Sequence, residues 1–217
     1  MPAGFASGGS ALADVPGLSG IRSISLGQWG HACAVTMQET VKCWGANNFG
    51  QVGNGRIGIV DGEEHFFVAA PVDVPGLSGV QSLSLSGYSS YALMKNGSVK
   101  AWGNGASGQL ANASMANSGT PIDIAGLSGV KSIFAKESQA CAILADGVLK
   151  CWGYDSFATS SQATPTTVPY SGPVAGFAHG ISVVGSIFLF DQHSRVRVRG
   201  GIYQIQDKPV VLYGSKN

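Results

Sequence analysis

Four cysteines are the residues of this 217-residue chain with the most directly readable chemistry. Cys33 and Cys43 are ten residues apart, and so are Cys141 and Cys151, each pair with a turn midway. On adjacent antiparallel strands such residues face each other with Cα atoms about 4.5–5.5 Å apart, a separation a disulfide accepts. The reading is two disulfides, Cys33–Cys43 and Cys141–Cys151, and an extracellular or other oxidising compartment. Four buried free thiols in a reducing intracellular compartment are the alternative. Zinc fits less well, since neither pair has Cys-x-x-Cys spacing.

Catalytic or metal chemistry has one candidate. Asp61-Gly62-Glu63-Glu64-His65-Phe66-Phe67 gathers carboxylates and an imidazole, but it lacks the alternating Asp/Asn ligands and closing Glu of a calcium loop. A solvated acidic loop with Phe66 and Phe67 against the fold is the simpler reading. Of the other histidines, His31 reads as structural, and His179 and His193 stand apart from any cluster. No nucleophile elbow, phosphate loop or His-Glu-x-x-His helix occurs. The expectation is a non-enzyme without cofactor or metal.

Bulk composition narrows the partners. Thirteen basic and twelve acidic residues give a net charge of +1, leaving no field to gather a phosphate backbone, so nucleic acid is not expected. No run approaches the roughly 20 apolar residues of a membrane span, so no membrane insertion is expected. Thirty-two glycines, nine prolines and 12% charged residues describe a folded, turn-rich β protein.

The elements that must position these residues are repeated. Pro16-Gly17-Leu18-Ser19-Gly20-Ile21 recurs as Pro75-Gly76-Leu77-Ser78-Gly79-Val80 and as Ala125-Gly126-Leu127-Ser128-Gly129-Val130. Each copy is followed by a second landmark, Lys42-Cys43-Trp44-Gly45, Lys100-Ala101-Trp102-Gly103 and Lys150-Cys151-Trp152-Gly153. The tryptophans are 58 and 50 residues apart, the excess lying in an insertion between Asn54 and Ala70. A fourth unit is worn, with Arg197-Val198-Arg199-Gly200 at the landmark, and residues 209–214 echo the start of another.

The cysteines follow the repeat. Units two and four carry Tyr91/Ala101 and Phe188/Val198 where units one and three carry cysteine pairs, so both partners are present or absent together. Period-two alternation over Val72–Val74, Val80–Leu85, Tyr91–Met94 and Ser98–Trp102, with Asn96-Gly97 as a hairpin turn, gives four short strands per unit. Sheets so small must stack face to face, which makes Trp44, Trp102 and Trp152 structural core.

Trp44-Gly45 followed by Gly50-Gln51-Val52-Gly53, with Trp102-Gly103 followed by Gly108-Gln109-Leu110, resembles the repeat of the regulator of chromosome condensation (RCC1) family. The third unit departs, having Ser156-Phe157-Ala158-Thr159 in place of Gly-Gln. The resemblance implies an all-β fold of about four four-stranded antiparallel propeller blades, and covers residues 11–214 as one domain after an extension over 1–10. Blades are expected near 11–70, 71–120, 121–168 and 169–208, with an extra strand over 209–214. Familiar members close seven blades, so four imply an open arc or partial propeller, a ring completed by another chain, or a fragment of a longer protein.

Loops that differ between repeats are where recognition residues sit on such scaffolds. Trp29 and Tyr88 occupy one rim, Phe66 and Phe67 end the insertion, and Arg195, Arg197 and Arg199 put three cations on one strand face. Caps for their own blades and a blunted sheet edge are the bland readings of these residues. The expected function is a protein-interaction scaffold or subunit of a larger assembly, with a protein partner or self-assembly. A sugar-binding module or hydrolase using the central pocket or the acidic loop is the alternative. The resemblance further implies GTPase regulation, chromatin binding or β-lactamase inhibition.

Overall fold

The computed structural model describes residues 14–60, 62–155, 160–169, 174–179, 187–191 and 196–199. In the first sheet β1 (Ile21–Leu26), β2 (His31–Thr36) and β3 (Val41–Ala46) follow one another. The insertion folds into a small hairpin, β4 (Ile59–Val60) and β5 (Glu63–Glu64), before β6 (Phe67–Asp73) pairs with β3. The second sheet comprises β7 (Val80–Leu85), β8 (Ser89–Met94), β9 (Val99–Gly103) and β10 (Ser118–Asp123). The third comprises β11 (Val130–Lys136), β12 (Gln139–Leu144), β13 (Leu149–Asp155) and β14 (Ser160–Thr167). The fourth, β15 (Val174–His179), β16 (Ile187–Asp191) and β17 (Val196–Arg199), has three strands among the described residues. All pairings are antiparallel, and no helix among the described residues is long and apolar enough to cross a membrane.

Sequence units and sheets are out of phase. Residues 71–73, where the sequence reading begins the second unit, pair with β3 in the register Cys43↔Val72 and Lys42↔Asp73, so the first sheet runs to Asp73. Val74 N–H continues that ladder onto the Val41 carbonyl at 2.9 Å. The segment thus satisfies the outer edge of β3, which would otherwise be unpaired. The second sheet likewise runs to Asp123. The extension over 1–10 and the strand expected over 209–214 lie outside the described residues.

The Gly-Leu-Ser-Gly motif joins one sheet to the next. Its two glycines take positive φ, 74° and 71° at Gly76 and Gly79, a conformation that disfavours any side chain. The turn sends Leu77 and Leu127 into the core and leaves the following residue's N–H facing the preceding sheet's hairpin. Val80 N–H bonds Glu39 O at 3.1 Å and Val130 N–H bonds Gly97 O at 3.0 Å; Val174 N–H, which no such motif precedes, makes the equivalent bond to Gly147 O at 3.0 Å. Glycine fills the left-handed position of the second and third hairpins. In the first that position is Glu39 (φ 62°), whose carboxylate pairs with Lys95 and, at 3.8 Å, with Arg22.

The core lies between sheets. Cys33, Val35, Val41 and Cys43 of the first meet Leu85, Ala92, Met94 and Trp102 of the second. Tyr91, Leu93 and Ala101 of the second meet Ala140, Ala142 and Trp152 of the third. Phe134, Cys141 and Cys151 of the third meet Val174. Both expected disulfides are present across adjacent strands, with Cα–Cα distances of 4.1 and 4.0 Å, and their sulfurs face the next sheet. Among the described residues no strand pairing joins the first sheet to the fourth, and the four form an open row.

Trp44 departs from the expected core role. Trp102 and Trp152 are buried, whereas Trp44 is only half-buried, no sheet among the described residues being paired or packed on that side of the first.

Candidate functional site

Strand direction alternates within each sheet, so the loops after the first and third strands share one end. Trp29 follows β1, Tyr88 follows β7, and Phe49 lies in the loop after β3. The Trp29 and Tyr88 rings stack at 5.9 Å with an interplanar angle of 11°, and Phe49 meets Tyr88 edge-on at 4.8 Å. Gly87 makes the stack possible: a Cβ there would lie 2.4 Å from Trp29 Cδ1, so the indole rests on bare backbone of the neighbouring sheet. Trp29 nonetheless remains 58% exposed. Three aromatic rings from two sheets therefore form one partly solvated patch on a rigid edge, and such patches anchor protein interfaces.

Phe49 is absent from the sequence reading. The signal for it was an aromatic in a loop whose counterpart in the second unit is Ser107, the same between-repeat variation that singles out Trp29 and Tyr88.

Beneath the rim a polar network fixes the loops. Gln51 Oε1 accepts from Phe49 N–H at 2.9 Å, closing the loop on itself. The Gln51 carbonyl then points at the second sheet, where it accepts from Trp102 Nε1–H at 2.9 Å and from Ser90 Oγ–H at 2.8 Å. Since the Ser90 hydroxyl spends its proton on Gln51, it accepts from His31 Nε2 at 3.1 Å, which assigns the Nε2–H tautomer. His31 is almost wholly buried, and burial lowers its pKa to about 4. The second junction repeats the scheme. Gln109 Oε1 accepts from Ser107 N–H at 2.7 Å, and the Gln109 carbonyl accepts from Trp152 Nε1–H and Tyr91 O–H, both at 2.8 Å. Burial pushes the Tyr91 phenol up, against a smaller opposing hydrogen bond from Ser89, so it stays a donor. The Gly-Gln signature is thus the acceptor half of a joint whose donor is the next unit's tryptophan.

The insertion is tied down from both sides. Buried Asn47 donates to the carbonyls of Arg56 and His65, each at 3.1 Å, and Gly55 N–H bonds Gly119 O on the second sheet at 2.9 Å. His65 Nε2 meets Arg56 Nη1 at 3.1 Å, and Glu63 and Glu64 are exposed. Among the described residues no three His, Cys, Asp or Glu side chains are grouped to hold a metal. Phe66 and Phe67 are both partly exposed at the end of the fold that carries Trp29 and Tyr88. Arg197 and Arg199 stand on the edge strand β17 opposite Leu189 and Ile187. Their side chains, together with Arg195, Asp61 and His193, lie outside the described residues.

The regulator of chromosome condensation (RCC1) repeat model matches residues 21–51 and 80–109, which span the first three strands of the first two sheets and their Gly-Gln loops. A curated relative, the RCC1 domain-containing protein RUG3, mitochondrial, from Arabidopsis thaliana, is 34% identical over 99 residues, 45% of this chain and 20% of that protein. Among solved structures, human WBSCR16 is similar with a TM-score of 0.72 at 23% identity, over 83% of this chain and 47% of that one. Yeast RCC1 (Prp20), solved bound to Kap60, is similar with a TM-score of 0.60 at 20% identity, over 71% and 38%. The chain therefore spans less than half the length of each of these proteins.

Proposed function

Because this chain is an RCC1-like repeat protein with the fold of a partial β-propeller, we propose that it acts as a non-enzymatic interaction scaffold, gripping a protein partner through the rim formed by Trp29, Phe49 and Tyr88. The observation that carries this reading is the stack of Trp29 on Tyr88 across two sheets. A solvated indole held rigid by a neighbouring backbone loses little conformational freedom on binding, so more of its burial energy goes into affinity. Phe66 and Phe67 extend the same end of the fold. The fold relatives point the same way: yeast RCC1 is bound to Kap60 in its crystal structure, and its binding properties to Gsp1p and histones are described. Those are properties of that protein, and what this chain shares in the proposal is only a protein as partner. Two disulfides favour a compartment where such bonds persist.

The test is quantitative co-purification of the full chain from its own cells, comparing wild type with Trp29→Ala and Tyr88→Ala. Removing a central aromatic anchor costs about 2 kcal/mol or more, a loss of at least roughly thirty-fold in affinity. Both variants are expected to keep their thermal midpoint within a few degrees and to lose the same partner. Unchanged recovery of every co-purifying protein by both variants would remove the rim from the mechanism.

A further inference from the structure

The turns that join the second strand of a sheet to the third differ in one chemical respect. Between β8 and β9, Asn96 Oδ1 accepts from the Ser98 N–H at 3.0 Å and from the Ser98 hydroxyl at 2.7 Å. Between β12 and β13, Asp146 Oδ1 accepts from the Val148 N–H at 3.0 Å, and Val148 has no hydroxyl to add. A side-chain oxygen two residues before that N–H therefore suffices for this turn. The Asn96 amide nitrogen and the Ser98 hydroxyl are surplus to it. Asn96 is exposed, and its Nδ2 has no hydrogen-bond partner among the described residues. Together the two surplus groups form an Asn-x-Ser sequence with x other than proline, the acceptor pattern for an amide-linked glycan on a surface loop. Asn112-Ala113-Ser114, in the loop after β9, has the same pattern. There the amide is already used, because Nδ2 donates to Ala116 O at 3.0 Å, closing the loop, and Oδ1 is buried.

We propose that Asn96 carries an N-linked glycan and that Asn112 does not. The proposal rests on the oxidising compartment that the two disulfides favour. In the transfer, Asn96 Nδ2 forms a bond to the anomeric carbon of the reducing-end sugar and loses a proton. The bond from that carbon to the oxygen of a lipid-linked diphosphate donor breaks, and the diphosphate leaves with the electron pair. Gly97, the residue between the two acceptor groups, takes φ 79° and packs its backbone on the next connecting turn, where a Cβ would come 2.9 Å from Gly129 Cα. The turn is thus fixed from behind while Asn96 stays outside the joint. Gly97 N–H is held by the Met94 carbonyl at 2.9 Å, so it is not free to attack the Asn96 carboxamide, and the asparagine persists as an acceptor. Because this turn lies at the end of the sheet opposite the loops of Trp29 and Tyr88, a glycan on it leaves the rim clear.

The test is peptide mapping by mass spectrometry of the full chain purified from its own cells, before and after a glycan-releasing amidase in heavy-oxygen water. The peptide holding Asn96 is expected to carry a glycan mass and, after the amidase, to show aspartate at that position with one heavy oxygen. The peptide holding Asn112 is expected to be unmodified. Ser98→Val, which matches Val148 of the third sheet, and Asn96→Asp, which keeps the turn's acceptor oxygen, are expected to lose the glycan entirely, whereas Ser98→Thr retains it. Thermal melts report whether each variant folds as the parent does. A bare Asn96, a glycan on Asn112, or a glycan on Asn96 that survives Ser98→Val would overturn the proposal. Alkylation of the unreduced chain scores the compartment separately. A bare Asn96 beside four blocked cysteines sinks the glycan alone, whereas a bare Asn96 beside four free thiols sinks the compartment with it.

Discussion

His31 shows how one side chain couples the repeat to pH. Its ring packs against Gly27, where a Cβ would come within 2.1 Å of Cε1, and its Nε2–H feeds the Ser90 hydroxyl that bonds Gln51. No partner meets Nδ1, so protonation there would put an uncompensated charge between two sheets. The folded pKa of about 4 lies below the ordinary 6.5, so between those values the unfolded chain binds a proton that the folded chain refuses. Stability is then full above pH 6.5 and falls as pH drops towards 4, by on the order of 3 kcal/mol in all. His31→Gln, which keeps a donor and matches Gln139 of the third unit, is expected to flatten that slope. Urea denaturation at pH 7 and pH 4.5 measures it, and equal slopes for the two proteins would assign the acid sensitivity elsewhere.

At the scale of the strand pair, the two disulfides replace side-chain bulk with a covalent tie. Where the second sheet fills this place with Tyr91 and Ala101, the first and third place Cys33–Cys43 and Cys141–Cys151, buried against the next sheet. Each closes a loop of ten residues' separation, worth roughly 2–3 kcal/mol in the chain-entropy account. Cys33→Ala/Cys43→Ala should lose about that much in denaturant unfolding, with Cys141→Ala/Cys151→Ala losing a similar amount. Alkylation of the denatured, unreduced chain should add no label, and after reductant it should label all four cysteines. These pairs were legible in the sequence because a ten-residue spacing across a two-strand hairpin leaves one register. The stacking of Trp29 on Tyr88 was legible only as a shared rim, since its distance depends on Gly87 having no side chain. The β6 pairing was misplaced for a physical reason: alternation in Val72–Val74 marks a strand but carries no information about which sheet it joins. Nothing in the sequence alone says that the Gln51 carbonyl, and not its side chain, is the group that reaches the next sheet.

Across the whole molecule, a row of sheets has two ends, and the repeat makes the energetic asymmetry between them measurable. An internal tryptophan is held by burial between two sheets and by a bond to a carbonyl; the first tryptophan is half-buried and has no such bond among the described residues. Trp102→Phe leaves the Gln51 carbonyl with only the Ser90 hydroxyl and vacates part of a packed core, which should cost about 2 kcal/mol or more. Trp152→Phe should behave alike, since Gln109 retains only Tyr91. Trp44→Phe removes a donor that has no acceptor among the described residues and should shift stability by less than about 0.5 kcal/mol. Chemical denaturation of the three variants separates these cases. Similar losses at all three positions would mean that Trp44 is held as the two internal tryptophans are, whereas a near-zero loss at Trp44 beside large losses at Trp102 and Trp152 would place the stabilising contribution of the repeat in its internal joints.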